Sequence, residues 1–298
     1  MTYHTPVLLR ESIEGLNIKP DGIYVDVTFG GGGHSREILS HLTTGKLLAF
    51  DQDADAEKNI IDNERFIFCH SNFRFLRNFL KYNKIPQIDG LLADLGVSSH
   101  HFDEVSRGFT YQYNAPLDMR MNPKAPLTAA DILMNATENE LRIIFREYGE
   151  VENAGKLVYL IALARQTVKL DNSYAFIEAI KPAIPRNQEN KYLAKVYQAL
   201  RIRVNSELES LKAMLMQTVN AIKPGGRLVV ITYHSLEDRI VKNFVKNGIF
   251  EGAAESDLFG NRKVPFKSIH NKIIIPSEKE IEENSRARSA KLRIAERI

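Results

Sequence analysis

The segment "VDVTFGGGGHSREIL" (25–39) sets four consecutive glycines between an alternating apolar run and a helix-like stretch. Glycine loses more conformational freedom on folding than any other residue, so four in a row mark backbone that must bend freely or be approached closely. A strand, a glycine loop and a helix together open a nucleotide-type site. A phosphate-cradling P-loop is excluded, because Gly33 is followed by His34 and not by Lys and Ser or Thr. In a dinucleotide fingerprint counted from Gly30, the third glycine position holds Ser35. S-adenosylmethionine asks less of such a loop. It has no phosphates, and its amino and carboxylate groups need only backbone that can come close. Taken alone, the loop is a weak signal, and a mere structural turn is the lesser alternative.

Other residues with ligand chemistry recur at corresponding places. Asp51 ends a second apolar run about 20 residues after the glycines, where a carboxylate can accept both ribose hydroxyls. Asp53, two residues further on, reads as surface. Phe73 ends a third run, placed to flank an adenine ring, although a core phenylalanine is the commoner explanation. Asp94 ends a fourth in "LLADLGVSS", with Ser98 and Ser99 in the turn beyond it. The stretch "VVITYHSLEDRIV" (229–241) ends a fifth. There Ser235 and Asp238 have capping-box spacing, which leaves His234 and Glu237 unexplained by capping. In open parallel sheets ligands bind beyond the carboxyl ends of the strands, so the coincidence weighs more than any single member. His100, His101 and His234 are conceivable metal ligands, but adjacent histidines rarely face one ion, and no metal is expected.

The elements that must position these residues follow from periodicity. Apolar runs at 22–29, 46–53, 65–73, 88–99 and 225–235 read as strands, with helical stretches between the first four. Ser35 reads as the cap of the first intervening helix. This alternation indicates an α/β fold with a doubly wound parallel sheet. The alternation stops after a long loop beginning near Ser106, and helical stretches follow. Among them, 137–148 opens with the Thr137–Glu140 capping pair, and 191–222 reads as one long helix. Residues 104–207 are therefore expected to be a helical insertion, splitting a sheet domain made of 1–103 and 208–298. Residues 251–280 read as an exposed loop or an appended hairpin.

Composition narrows the class. The 298 residues are 44% hydrophobic and 26% charged, as in soluble globular proteins, and no apolar run approaches membrane-spanning length. The N-terminus lacks a signal-peptide pattern, and one cysteine, Cys69, excludes an internal disulfide framework, so the expected compartment is the cytoplasm. A net charge of +3 is too small to prove a polyanionic partner. The basic "SRARSAKLRIAERI" and the pair Arg201 and Arg203 suit either a solvated face or a nucleic-acid contact.

Longer motifs go further. "HTPVLLRE", "DVTFGGGGHS", "AFDQD", "HSNF", "DGLLADLGVSS", "RGFTY", "PLDMRMNP", "YQALRIRVNSEL", "PGGRLVVITYHSLEDRIVK" and "NSRARSAKLRIAER" occur in this order along nearly the whole chain. In them the chain resembles the bacterial ribosomal RNA small-subunit methyltransferase H family (RsmH, or MraW). The resemblance implies a Rossmann-like methyltransferase domain interrupted by a helical substrate domain. It implies S-adenosylmethionine-dependent methylation of N4 of one cytidine in the decoding region of 16S rRNA, in the small ribosomal subunit. By motif, Gly32, Gly33, His34, Asp51, Phe73 and Asp94 would hold the cofactor. His100-His101 stand where the family has Pro-Gln, so His101 takes the place of a cofactor-contacting glutamine, and Tyr233 replaces a phenylalanine. Asp94 is placed to position the base or, if the cofactor occupies it, leaves that to Ser98, Ser99 or His234, with Tyr233 and Glu237 beside the base and Arg201 and Arg203 as the RNA grip. A DNA cytosine-N4 methylase is disfavoured, because "DLGVSS" stands where that class has a Pro-Pro motif. Intact Gly30–Gly33, Asp51 and Asp94 argue against a non-catalytic RNA-binding factor.

Overall fold

The computed structural model describes residues 6–97, 102–252 and 264–298. They divide into two compact units, one made of Met1–Gly96 with Leu208–Ile298 and the other of Val97–Glu207.

The first unit runs α1 (Leu9–Leu16), β1 (Ile23–Asp26), α2 (Gly33–Ser40), β2 (Lys46–Asp51), β3 (Phe66–His70), α3 (Leu76–Tyr82) and β4 (Ile88–Asp94). The second unit then contributes α4 (Ala129–Asn135), α5 (Glu138–Ile143), α6 (Ala154–Ala164), α7 (Ser173–Ile180) and α8 (Glu189–Asn205). The chain returns through α9 (Glu207–Ala221), β5 (Ile222–Thr232), α10 (Ser235–Asn247), β6 (Phe266–Ser268), α11 (Glu278–Glu283) and β7 (Lys291–Arg297).

Seven strands form one sheet in the order β3-β2-β1-β4-β5-β7-β6. The first five are parallel, whereas β7 runs antiparallel to both β5 and β6. Leu47 to Phe50 in β2 and Leu91 to Ala93 in β4 are fully buried, as expected of parallel strands covered on both faces. The chain order reverses between β1 and β4, and the crevice at such a reversal is where doubly wound sheets bind ligands.

Several boundaries depart from the sequence reading, each for a local reason. β3 stops at His70, and Phe73 opens a 3-10 turn capped by Asn72, whose side chain accepts the Arg74 N–H. The stretch after β2 is a 3-10 turn, Ala54–Asn59, capped by Asp53. Asp53 is buried, not a surface residue. The cap of α2 is Gly32, and Ser35 lies inside the helix. The long helix at 191–222 is two helices, broken at Ser206 with φ +49°. The break has anchors on its N-terminal side. Asn205 accepts the Met121 N–H and donates to the carbonyls of Met119 and Arg201, which fixes the last turn of α8 against the preceding loop.

The basic stretch "KLRIAER" is strand β7, with Leu292, Ile294 and Ala295 buried. β6 and β7 pair antiparallel, so residues 264–280 contain a sheet strand. The Thr137–Glu140 box is present reciprocally, and its helix passes into a π-helical turn at Ile144–Tyr148. The second unit has its own core, including Phe145, Leu157, Ile161, Phe176 and Leu200.

Candidate active site

Four strands deliver polar groups to one edge. At β1, Asp26 is 1% exposed and accepts the Ser35 hydroxyl at 2.7 Å and the Thr28 N–H at 3.0 Å. Burial pushes its carboxyl above the usual range, and these hydrogen bonds oppose the shift. Ser35 lies in α2, so Asp26 ties the end of β1 to the helix that follows the glycines. Thr28 carries the tie to the next strand, since its Oγ1 accepts the Asp94 N–H at 2.7 Å.

The glycines are required for two separate reasons. Gly30 sits at φ +49° with open space where a side chain would begin. Its N–H donates to Asp51 Oδ2 at 2.8 Å, and the other Asp51 oxygen accepts the Asp53 N–H at 2.8 Å. The carboxylate at the end of β2 therefore shapes the loop as well as facing its edge. Gly33 is bare because of the protein itself: a β-carbon there would lie 2.2 Å from Pro6 Cγ. The closest approach to the run is by the chain's own N-terminal segment.

Asp94 and His34 meet across the reversal. His34 is 6% exposed, with Nε2 at 3.2 Å from the Val7 carbonyl and Nδ1 at 3.8 Å from Asp94 Oδ2. The second distance is too long for a hydrogen bond. Burial lowers the His34 pKa, and the Asp94 charge opposes that only partly. Asp94 Oδ1 accepts the Tyr233 hydroxyl at 2.8 Å. Burial pushes the Asp94 carboxyl up to about 6, Asp26 and Glu237 add to the rise, and His34 and Tyr233 oppose it. Tyr233 is held protonated, its pKa raised by burial and by the adjacent carboxylate. Its ring lies against Gly96, where a β-carbon would sit 3.1 Å away.

The loop after β5 is capped differently from the spacing's suggestion. His234, not Ser235, is the cap of α10, with Nδ1 accepting the Glu237 N–H at 3.4 Å. Glu237 is 3% exposed, and its Oε2 accepts the Tyr233 N–H at 2.9 Å while Oε1 lies 3.2 Å from His234 Nε2. Asp238 instead pairs with Arg293 of β7 at 2.8 Å. His234 and Glu237 therefore form the cap that the spacing predicts for Ser235 and Asp238.

The chain matches the MraW methylase family over residues 1–298. Ribosomal RNA small subunit methyltransferase H of Bacteroides thetaiotaomicron is 59% identical over 298 residues, spanning 100% of this chain and 98% of its own. The protein of that name from Parabacteroides distasonis is 57% identical over 298 residues, 99% of this chain and 98% of its own. That from Christiangramia forsetii is 51% identical over 299 residues, 100% of this chain and 99% of its own. The chain belongs to the MraW methylase family. As a member of that methylase family it is a methyltransferase.

S-adenosylmethionine fits the groups present. Gly30 offers backbone with no side chain over it, and the Asp51 and Asp94 carboxylates end adjacent parallel strands on either side of β1. Phe73 is half-buried in the turn after β3, and the Asn72 side chain donates to Gln52 at 2.8 Å, drawing that turn to the end of β2. Of the residues expected from this methylase sequence, Gly32, Gly33, His34, Asp51, Phe73, Asp94, Tyr233, His234 and Glu237 lie at this end of the sheet. Ser98, Ser99 and His101 lie outside the described residues.

Arg201 departs from its expected role. Its guanidinium makes a two-pronged ion pair with Glu207 at 2.8 and 2.9 Å, with the side chain 13% exposed. Among the pair only Arg203 is exposed. Asp26, Thr28 and the inward role of Ser35 were missed. The available signal was the two-residue Asp26–Thr28 spacing, typical of a carboxylate bonding its own downstream backbone.

Proposed function

We propose that the chain transfers the methyl group of S-adenosylmethionine to the exocyclic N4 of one cytidine in the decoding region of 16S rRNA, acting on the small ribosomal subunit in the cytoplasm. The observation that carries this reading is the convergence of the Gly30 loop, Asp51 and Asp94 at the β1/β4 reversal. The names of the relatives support the ribosomal substrate. Bound there, the cofactor would supply a methyl on a sulfonium, an electrophile that needs little beyond in-line alignment. The loop from Gly30 to His34 and the Asp51 carboxylate would fix its two ends. Tyr233 donates its hydroxyl to one oxygen of Asp94, which fixes that carboxylate at the end of β4 and leaves its other oxygen to meet cofactor or base. Cytosine N4 is a weak nucleophile because its lone pair is delocalised into the ring. Acceptors for its N–H from Asp94, Ser98 or Ser99 would return that pair to nitrogen, with His234 acting through position, since its Nδ1 already accepts the Glu237 N–H. The target base must leave its stack, which loop RNA permits at low cost. Mass mapping of 16S rRNA from cells lacking the gene tests the assignment. An unchanged map of methylated cytidines would overturn it.

His234 caps a helix, so its replacement needs a control. His234→Ala is expected to cost roughly 0.5–2 kcal/mol of stability, the usual value of a lost cap. His234→Asn restores a good cap without an imidazole and should recover most of that loss. Single-turnover methylation of small-subunit particles should stay slow in His234→Asn while the cofactor dissociation constant stays near wild type. A wild-type rate would confine His234 to capping.

We assign the RNA grip of the 97–207 unit to Arg203. Arg203→Gln should weaken RNA binding and reduce its salt slope by about 0.7, the effect of one phosphate contact on a single strand. Arg201→Gln should instead lower the melting temperature, because it strands the largely buried Glu207 carboxylate at a cost of roughly 3 kcal/mol. Equal effects of the two on RNA affinity, with no difference in melting, would reverse these roles.

A further inference from the structure

We propose that α3 and the turn before it form a second RNA-binding surface, on the cofactor-binding unit, which takes single-stranded RNA flanking the target nucleotide. This rests on the proposed ribosomal RNA substrate and extends it to exposed side chains that have no place in the candidate active site.

The segment 70–88 contains no Asp or Glu, and it carries Arg74, Arg77, Lys81 and Lys84. Four-residue spacing places Arg77 and Lys81 on one side of α3, with Arg74 three residues earlier in the 3-10 turn and Lys84 three residues later in the turn that follows. All four are exposed, and among the described residues none is ion-paired with a carboxylate. Phe75 and Tyr82, seven residues apart, make an adjacent stripe. Phe75 is 44% exposed and Tyr82 is 84% exposed. The Arg74 guanidinium lies 5.2 Å from the centre of the Phe75 ring. The opposite side of α3 is the packed one, with Leu76 and Leu80 buried and Phe79 against Phe50 of β2 at 5.3 Å.

The surface is held rigidly. The Gln217 side chain of α9 accepts the Arg77 N–H at 2.9 Å and donates to the Arg74 carbonyl at 2.8 Å, clamping the turn from both sides. From Arg74 to Lys84 the stripe extends over about 15 Å at helical rise. Its upper end follows Phe73 directly, so it starts at the candidate cofactor edge.

A line of unpaired cations beside exposed aromatic rings suits a single-stranded polyanion. Cations track phosphates, while aromatic faces stack unpaired bases of any identity. A duplex would leave the rings without bases to stack on, and an acidic protein surface would leave them without a use. Both features are met together by unpaired RNA.

The test measures binding of the full chain to an oligocytidylate RNA of about 12 nucleotides across a salt series, by fluorescence anisotropy. The double variant Arg77→Glu with Lys81→Glu should bind at least tenfold more weakly, with a salt slope reduced by about 1.4. Tyr82→Ala should bind roughly tenfold more weakly with an unchanged slope. Cofactor affinity by calorimetry should match wild type in both, which excludes misfolding as the cause. Wild-type RNA binding in either variant overturns the proposal. So does a photocrosslink from position 82 to a ribosomal protein in place of RNA on small-subunit particles. The rRNA modification map of the wild-type chain is a separate readout, so failure of this surface and failure of the substrate assignment are distinguishable.

Discussion

Asp94→Asn should raise the stability of the protein above pH 7 and, in the same variant, impair cofactor binding and methyl transfer. Asp94 ends β4 in a largely buried position, and burial is the main reason its carboxyl titrates at about 6, above its ordinary 3.8. Asp26 and Glu237 push in the same direction, against the attraction of His34 and the Tyr233 hydroxyl. The folded state therefore binds the Asp94 proton more tightly than the unfolded chain does. Stability from this group is fully present below about pH 4 and is lost as pH rises through about 6. At pH 8 the ionised carboxylate costs up to about 3 kcal/mol. Asparagine keeps an oxygen for the Tyr233 hydroxyl and carries no charge. Thermal unfolding should show a gain of several degrees at pH 8 that shrinks to nothing near pH 4. A variant destabilised equally at both pH values would show that the charge is not held at a cost. A gain in stability with full activity would remove Asp94 from the reaction.

Asp51→Ala should weaken cofactor binding by roughly tenfold to a hundredfold. Each of its oxygens accepts a backbone N–H, from Gly30 and from Asp53. Hydrogen bonds to a charged group contribute roughly 1.5–3 kcal/mol each. Alanine removes the acceptors that hold the glycine loop and the carboxylate expected to meet the ribose. Asp51→Asn retains one acceptor oxygen and should recover only part of the affinity, because its amide group would face an N–H. Calorimetric titration with S-adenosylmethionine measures both. An unchanged dissociation constant in Asp51→Ala would move the ribose contact elsewhere. Asp53 is a poor replacement, since it is buried and its carboxylate accepts the Asp55 N–H.

What could be read from the sequence was local in origin. The alternation of strands and helices up to Asp94, the glycine loop and the Thr137–Glu140 box all depend on residues within about one turn or one strand of each other. What escaped was set by distant partners. Arg201 reads as a free cation until Glu207 is placed against it by the break at Ser206. Tyr233 reads as a small change of ring chemistry, yet its hydroxyl meets a carboxylate 139 residues earlier. The basic ending reads as a solvated or RNA-facing run because Arg and Lys dominate its composition. It is a strand because Leu292 and Ile294 alternate with those charges, and Arg293 finds Asp238 at a distance of 55 residues. The capping role of His234 is hidden in the sequence because imidazole is an uncommon cap, and the Ser235–Asp238 spacing offers a more familiar one.

The order of strands also dictates an order of events during synthesis. β4 lies between β1 and β5, and β5 begins only at Ile222, with the whole Val97–Glu207 unit translated in between. While those residues emerge, one side of β4 carries backbone N–H and C=O groups with no partner, along a strand whose middle residues Leu91, Leu92 and Ala93 are apolar. Such an edge is a template for pairing with other chains. The nascent protein thus passes through an interval in which its central strand is sticky, and the speed with which ribosomes cross codons 97–222 sets how long that interval lasts.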